Sequence, residues 1–234
     1  MGMEKIAEFV EDESGESARS SLESYFYKNA FTGSRYETFF VSDTPNEFTA
    51  NDFIAVSMLS VNVPPRAAAW ILVDNKSAFI NYLEKVQPPE VSIVDDGADL
   101  SKSSDAYFLW KEIYSCRGIG ETIASKLLAT KRPNLFPIFD SHVAKALDLK
   151  PDFYWEPWQK FMKSNEGRKC VQSVRSIAEN LKILGVSDLR LLDIIVWMRE
   201  HGHKFITQDL VDNDSMKKVS YAHPEEPKKR RRSR

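Results

Sequence analysis

Apolar residues recur at intervals of three and four along most of the chain, and the strict two-residue alternation of half-buried strands is nearly absent. This pattern predicts a mainly α fold, a bundle of helices with a small aromatic-rich segment near the N-terminus. Thr49 or Asn51 can cap a helix that ends before Pro64 and Pro65. Further helices are predicted over 66–72, 77–86, 107–114, 123–132, 141–148, 156–163, 169–184 and 188–201.

Composition divides the chain into three parts. Residues 1–22 are acidic and rich in serine and glycine, which predicts disorder. Residues 23–205 hold the helical pattern and form the predicted folded domain, in which Tyr25 to Phe40 is expected to be a loop or a short strand pair. Residues 206–234 form a tail ending in a basic run, Lys228 to Arg234, which we expect to be disordered and to tether nucleic acid without sequence specificity.

The net charge of −2 averages an uneven distribution. Residues 1–17 hold six acids and one lysine, whereas residues 111–150 hold seven bases and four acids. The chain as a whole therefore differs from the globally basic chains that bind nucleic acid indiscriminately. A local positive patch is predicted within 111–150.

Cysteine and histidine usage argues against a metal or cofactor site. Cys116 and Cys170 are too few for a cysteine-ligated iron–sulfur cluster or a four-cysteine zinc site. His201 and His203 lack a matching carboxylate or cysteine pattern, so we expect no metal and no cofactor. No apolar run reaches the length of a membrane span, and the acidic N-terminus differs from a signal peptide. We expect a cytoplasmic, nucleoid-associated protein with no membrane partner.

The most informative segment runs from Arg117 to Val143. It joins a Gly-x-Gly turn to an apolar helix, a proline-bounded loop and the start of a second helix. Glycines let backbone amides approach an anion closely, and the dipole of the following helix favours the same negative charge. The pattern predicts a phosphate-binding turn, although Gly-x-Gly also serves simply to close two packed helices. The predicted contacts to double-stranded DNA come from Arg117, Gly118, Ile119, Gly120, Thr122, Lys126, Lys131 and Arg132. For the lysines, the alternative is a solvated position without a DNA contact.

This segment resembles the helix-hairpin-helix DNA glycosylase superfamily, of which endonuclease III is the familiar member. In that family a G-[VI]-G hairpin precedes a proline-containing loop and [VI]-D-[ST]-H-[VI]. The chain matches with Gly118-Ile119-Gly120 and with Phe139-Asp140-Ser141-His142-Val143, at closely similar spacing. A weaker match is M-L-S-V-N-V at Met58 to Val63, similar to the L-S-x-Q segment that the family places beside the everted base. The resemblance covers about residues 50–200 by order of elements, and implies a diverged branch with the helix-hairpin-helix glycosylase fold.

Asp140 is the catalytic residue that the resemblance implies. The matching aspartate of the family stabilises the oxocarbenium-like sugar as the N-glycosidic bond breaks, and it helps to position a water. A carboxylate suits this role because positive charge develops on the sugar, and nearby negative charge acts most strongly where water is excluded. Asp140 is equally suited to cap the helix that begins at Ser141, and both roles can coexist.

Departures from the family pattern limit the activity that the resemblance implies. Thr122 stands where bifunctional members carry a lysine, and a threonine cannot form a Schiff base, so we expect no strand cleavage. Asn62 stands at the glutamine position of the L-S-x-Q segment and is the candidate base-pocket residue, with an ordinary helix-end role as the alternative. Arg117 replaces the usual proline before the first glycine. His142 is expected to be a structural hydrogen-bonding residue.

The sequence thus favours a DNA-binding protein, and specifically a monofunctional DNA N-glycosylase that excises a damaged or modified base. One alternative is a non-catalytic helix-hairpin-helix DNA-binding module in a DNA-processing or defence assembly. Another is a helical protein in which the hairpin is only scaffold. The sequence selects neither the base, nor an oligomeric state, nor the aromatic side chain that would stack a flipped base.

Overall fold

The structure, a computed structural model, describes residues 2–11, 16–27, 31–39, 44–151 and 154–202. Within these ranges the chain forms twelve α-helices and no strand, so the predicted mainly α class is confirmed. A 3₁₀ turn, Thr32–Arg35, precedes the third helix, and π turns follow the fifth at Trp70–Asp74 and the twelfth at Met198–Gly202. The helices are α1 Lys5–Val10, α2 Glu16–Phe26, α3 Tyr36–Phe39, α4 Ala50–Met58, α5 Pro65–Ala69, α6 Lys76–Lys85, α7 Asp105–Ser115, α8 Glu121–Lys131, α9 Ser141–Ala146, α10 Trp155–Lys163, α11 Asn165–Asn180 and α12 Asp188–Trp197.

Several helices begin at a short polar side chain that accepts a hydrogen bond from an amide of the first turn. Ser104, Ser164 and Ser187 cap α7, α11 and α12 in this way. Helix α4 begins after Thr49, one of the two predicted caps, whose backbone N–H donates to Asp52 Oδ2 at 2.7 Å. The positions of these helices therefore follow from local sequence.

The N-terminal region is more ordered than its composition predicts. Helices α1 and α2 occupy much of residues 1–22, and Ile6, Val10 and Leu22 are buried in the core. The predicted disorder is wrong over the described part of this region. Its apolar residues recur at helical spacing, which gives each short helix one face to bury against the rest of the protein.

The aromatic segment from Tyr25 to Phe40 is helical where it is described. It contains the end of α2, the 3₁₀ turn and α3, so the predicted loop or strand pair is wrong. Tyr25 and Tyr36 point into the core, and the Tyr36 hydroxyl donates to the Lys126 carbonyl at 2.9 Å. Buried rings that reach hydrogen-bond partners hold these short elements in place. The predicted tail, with its basic run, lies outside the described residues.

Helices α8 and α12 are each the buried helix of a group of packed helices. Every residue of α12 from Leu189 to Val196 is buried, and α12 packs against α1, α2, α9 and α11. Helix α8 is buried from Ala124 to Lys131 and packs against α4 and α7. Both helices therefore carry polar side chains into surroundings where each needs a partner.

Lys131 and Arg132 lie inside the protein, which corrects the prediction that they contact DNA phosphates. Lys131 Nζ is 2.7 Å from Asp52 Oδ2, and both side chains are 1% exposed. The Arg132 guanidinium donates to the carbonyls of four residues and to the side-chain oxygen of Asn46. These partners replace the water that the cations lose on burial, so both residues brace the end of α8 instead of meeting a ligand.

Replacing Lys131 with methionine should destabilise the fold by about 3–5 kcal/mol, because Asp52 then stays buried without its counter-ion. Urea unfolding followed by far-UV circular dichroism measures this change in the free energy of unfolding. Lys145→Met, at an exposed position of α9, is the matched control and should cost less than about 0.5 kcal/mol. If both variants were equally stable, the buried ion pair would contribute nothing to stability.

Candidate active site

Helices α7 and α8 form the predicted helical hairpin, with residues 116–120 as its turn. Ile119 anchors the turn in the core, and its N–H donates to the Cys116 carbonyl at 2.9 Å. Arg117 and Gly118 are exposed on the same turn. The role of the turn in closing two packed helices is therefore confirmed, and its role in binding phosphate stays a prediction.

The two glycines of the turn differ in backbone conformation and in packing. Gly118 has a φ of +89°, and a Cβ there would lie 2.8 Å from Cγ of Pro64, so both the backbone and the packing exclude a side chain. Gly120 is the N-cap of α8, and a Cβ there would meet no atom within 4 Å among the described residues. The first amides of α8, beginning at Glu121, have no acceptor within the helix. Open space therefore lies beside the end of the helix that favours an anion.

A cavity of about 370 Å³ lies where α8, α12 and the residues around the start of α9 meet. Its wall also includes the end of α2, the 3₁₀ turn and the loop after α4. We call it the Asp140 cavity, since the predicted catalytic carboxylate is part of its wall. Thr122 belongs both to the first turn of α8 and to this wall, so the hairpin adjoins the cavity directly.

Asp140 serves as the N-cap of α9 and also faces the cavity. Its Oδ1 accepts a hydrogen bond from the His142 N–H at 2.9 Å, which confirms the predicted cap. Its Oδ2 lies 3.7 Å from Lys126 Nζ, and 19% of the side chain is exposed. The carboxylate is therefore fixed at one oxygen by the helix, while the side chain stays open to the cavity.

Lys126 is buried, which corrects the prediction that it faces solvent or a DNA phosphate. Its side chain is 5% exposed, and Nζ donates to the Leu59 carbonyl at 2.9 Å in addition to its contact with Asp140. Burial lowers the pKa of the Lys126 amine, and the neighbouring Asp140 carboxylate opposes this effect. Lys126 thus connects the loop after α4 to the carboxylate at the start of α9.

Arg190 and Asp193 form a buried charge network in the cavity wall, and the sequence pattern left both unassigned. Arg190 donates to Asp193 Oδ2 at 2.5 Å, to the Tyr25 hydroxyl at 2.6 Å and to Glu37 Oε1 at 3.2 Å. Burial raises the pKa of the Asp193 carboxyl to about 6, with Arg190 acting in the opposite direction. One signal was present, because an arginine and an acid three residues apart interrupt the otherwise apolar run L-R-L-L-D-I-I-V. Charges on a buried face need each other as partners.

Three aromatic side chains contribute to the apolar part of the cavity wall. Tyr25, Phe31 and Trp197 all line it. The rings of Tyr25 and Phe31 are stacked with centroids 5.5 Å apart, and Trp197 meets Phe31 edge-on at 5.1 Å. The sequence pointed to aromatic residues in this region without selecting them, because their convergence depends on how α2 packs against α12.

Asn62, the base-pocket candidate, is exposed in the loop between α4 and α5 and is not among the residues that line the cavity. The preceding residues of that loop do line it, and Ser60 among them has a φ of +59°. Asn62 therefore follows the wall directly and faces solvent. Insertion of its amide into the gap left by a flipped base stays a prediction.

His142 is the histidine whose side chain the structure describes. His142 lines the cavity, whereas the His201 side chain and His203 lie outside the described residues. Across the described ranges, no group of three or more His, Cys, Asp or Glu side chains is placed to hold a metal ion. Within the same ranges, every helix is too short or too polar to span a bilayer.

Comparison with protein-family models assigns the chain to one family. Residues 18–200 match a family of unknown function, DUF6308, and the chain belongs to that family. No curated protein and no solved structure matches the chain. The matched range includes both the hairpin and the whole wall of the Asp140 cavity, so these two features lie within the unit that the family model covers.

Gly118→Ala and Gly120→Ala should differ in their effect on stability. Gly118→Ala should destabilise the fold by about 1–3 kcal/mol, since the new side chain meets Pro64 and an unfavourable φ. Gly120→Ala should cost less than about 1 kcal/mol, because a Cβ there meets open space and the remaining loss is that of a poorer N-cap. Urea unfolding of both variants measures the difference. Equal losses of stability would contradict the different packing described for the two positions.

Proposed function

We propose that this chain is a DNA-binding helix-hairpin-helix protein that cleaves the N-glycosidic bond of a damaged or modified base, with Asp140 as the catalytic carboxylate. One observation carries the proposal. Asp140 is held by the α9 cap on the wall of an aromatic-lined cavity, and the first turn of the hairpin helix α8 adjoins the same cavity. A phosphate-binding element and a carboxylate beside an open pocket are the two parts that excision of a flipped base requires.

Negative charge near the sugar favours the proposed reaction. As the bond between C1′ and the base breaks, positive charge develops on the deoxyribose, and an ionised carboxylate beside C1′ stabilises it. The His142 amide takes Oδ1 of Asp140, so we assign this role to Oδ2, which lies 3.7 Å from Lys126 Nζ. A water placed between this oxygen and C1′ would complete the hydrolysis. Its oxygen bonds to C1′, the carboxylate accepts its proton, and the base leaves with the electron pair of the broken bond and takes a proton from solvent.

DNA binding is assigned to the outer side of the hairpin turn. The backbone amides of Gly118, Gly120, Glu121 and Thr122 supply sequence-independent donors for a phosphate, and the exposed Arg117 supplies a charge-assisted contact. Ile119 only anchors the turn, because its side chain is buried and its N–H donates to the Cys116 carbonyl. Thr122, the last of these residues, lies about one helical turn before Lys126 and lines the cavity, so a phosphate held by the turn lies close to the cavity.

Excision without strand cleavage is the activity that we propose. Thr122 has no amine for a Schiff base. Lys126 is the lysine of α8 that lines the cavity, and its amine is engaged by the Leu59 carbonyl and by Asp140. Both residues therefore favour a hydrolytic reaction that leaves an intact abasic strand.

A specific observation also favours the alternative of a non-catalytic DNA-binding module. The Lys126 ammonium lies 3.7 Å from Asp140 Oδ2 and offsets part of the negative charge that the sugar would use. In that case the hairpin alone would carry the function, and the chain would contribute binding to a larger DNA-processing or defence assembly. The two experiments below separate these functions.

Arg117→Ala should weaken binding to duplex DNA and reduce the slope of log K against log salt by about one, because one phosphate contact is lost. Fluorescence anisotropy with a labelled duplex at several salt concentrations measures both quantities. Lys169→Ala, at an exposed position of α11 away from the hairpin, is the matched control and should leave the slope unchanged. The hairpin would lose its assigned role if the two variants weakened binding equally.

Asp140→Asn should abolish base excision while leaving DNA affinity unchanged or slightly raised, because one negative charge is removed. Duplexes carrying uracil, alkylated or oxidised bases are incubated with the protein and then treated with hot alkali, which cleaves abasic sites. Asparagine also caps helices well, so α9 should persist. Asp148→Asn, at an exposed position just after α9, controls for the loss of a nearby acid.

The outcomes of this assay assign the function. Alkali-dependent product from the wild type and from Asp148→Asn, but not from Asp140→Asn, supports the proposed glycosylase. Binding without product on every duplex supports the non-catalytic module. Cleavage without alkali, together with a borohydride-trapped adduct that Lys126→Met removes, would contradict excision without strand cleavage.

A further inference from the structure

Helix α7 carries a stack of three aromatic rings that ends beside the hairpin turn. The Trp110 ring lies between the other two, with its centroid 5.7 Å from that of Tyr107 and 4.9 Å from that of Tyr114. The planes of Trp110 and Tyr114 differ by only 7°. Helix α7 ends at Ser115, directly after Tyr114, and the turn over residues 116–120 follows. The last ring of the stack therefore lies next to the element to which we assign phosphate binding.

Tyr114 is the accessible ring at that end of the stack. Its side chain belongs to a residue that is 41% exposed, whereas Trp110 is 6% exposed. Trp110 covers one face of the Tyr114 ring, so the exposed area belongs to the other face and to the ring edge. A flat ligand can therefore reach Tyr114 from solvent without any opening of the protein.

The Tyr114 ring is held in place by its buried neighbour. Trp110 stacks on Tyr107 on its other side and contacts Trp155 edge-on at 6.4 Å. A ring that packing already orients loses little side-chain freedom when a ligand stacks on it, and this favours affinity. Tyr114 is thus a preorganised stacking surface.

Two cationic side chains flank Tyr114. Lys111 lies three residues before it on the same side of α7, Arg117 lies three residues after it on the turn, and both are exposed. The Cα atoms of Tyr114 and Arg117 are at most about 11 Å apart, the reach of three extended residues. Glu112 is also exposed, but helical geometry places it about 160° around α7 from Tyr114. The surroundings of the ring therefore attract a polyanion.

A polyanion that also presents flat rings is a nucleic acid. Each internal base of a duplex is stacked between its neighbours and has no free face for Tyr114, whereas the bases of a single strand can stack on a side chain. Proteins bind single strands without sequence preference by combining aromatic rings with cationic groups along the backbone. The stack and its flanking charges therefore favour a single strand over a duplex.

We propose that Tyr114, together with Lys111 and Arg117, binds a single-stranded segment of DNA, with one unpaired base stacked on the Tyr114 ring. We call these three residues the Tyr114 platform. The platform goes beyond the proposed excision, because none of its residues lines the Asp140 cavity. It rests on the proposed function in one respect, the phosphate contact at Arg117.

The test compares two fluorescein-labelled DNA strands of about twelve nucleotides, long enough for one binding site. One is oligodeoxyadenylate, and the other carries abasic tetrahydrofuran units in place of its nucleosides. Contacts to phosphate, including any made by the basic run Lys228 to Arg234, are common to both strands. Fluorescence anisotropy should show that the wild type binds the adenine strand about tenfold more tightly, the effect of one stacked base. Equal affinity, or no binding of either strand, would overturn the proposal.

Tyr114→Ala should remove this preference and leave the affinity for the abasic strand unchanged. Tyr114→Phe should keep the preference, because the ring remains. Phe108→Ala is the matched control, since Phe108 is 50% exposed on the same helix, about 120° around its axis from Tyr114. This control should bind both strands as the wild type does.

Thermal unfolding of the variants checks that each is folded. A preference that survives Tyr114→Ala, or that Phe108→Ala removes to the same extent, would overturn the platform. If Tyr114→Ala does not fold, Tyr114→Leu takes its place, because leucine covers Trp110 without offering a flat ring. Tyr114→Leu should likewise lose the preference.

Arg117→Ala separates this inference from the proposed function. It should weaken binding to both strands equally, because it removes a phosphate contact and no ring. If it weakened neither strand while Tyr114→Ala still abolished the preference, the phosphate-binding role of the hairpin would fail and stacking on Tyr114 would be supported. Base excision by a wild type without any preference for the adenine strand would support the proposed function and overturn the platform.

Discussion

The rest of the structure depends on one constraint, the burial of three cationic side chains. Two of them belong to α8, and the third belongs to the residue that follows this helix. Lys126, Lys131 and Arg132 all lose contact with bulk water, and each regains its hydrogen bonds from segments far away in the chain. Their partners lie before α4, after α4 and at the end of α6. These segments therefore stabilise α8, and the contact between Lys126 and Leu59 links the hairpin to the cavity wall.

Local structure followed closely from sequence because its causes are local. The Thr49 and Asp140 caps lie next to the helices that they begin, and Gly118 occupies a backbone conformation that its own turn requires. The helices from α4 onwards were predicted in order. The short N-terminal helices were not, because an acidic composition obscured the few apolar residues that α12 and α11 cover.

The sequence predicted the part of the candidate site whose causes are local, and it did not predict the part that depends on distant segments. Asp140 belongs to a recognisable motif, whereas the environment of Lys126 depends on Leu59, which lies 67 residues earlier. Arg190 meets Glu37 across 153 residues. The local sequence does not show whether a lysine or arginine in a helix is buried, because its burial depends on partners that come from distant parts of the chain. Two predicted surface contacts thus proved to be internal braces, and Lys126 proved to be part of the cavity wall.

The Lys126 ammonium bridges a backbone carbonyl on one rim of the cavity and a carboxylate on the other. The aperture and the charge of this pocket are consequently coupled. A displacement of the loop after α4 that removes the Leu59 carbonyl would leave Asp140 as the remaining partner of the amine. The position of the Lys126 side chain therefore affects both the space available to a ligand and the negative charge that Asp140 presents to it. A change in the size of ligand that the cavity accepts would also change its electrostatic potential.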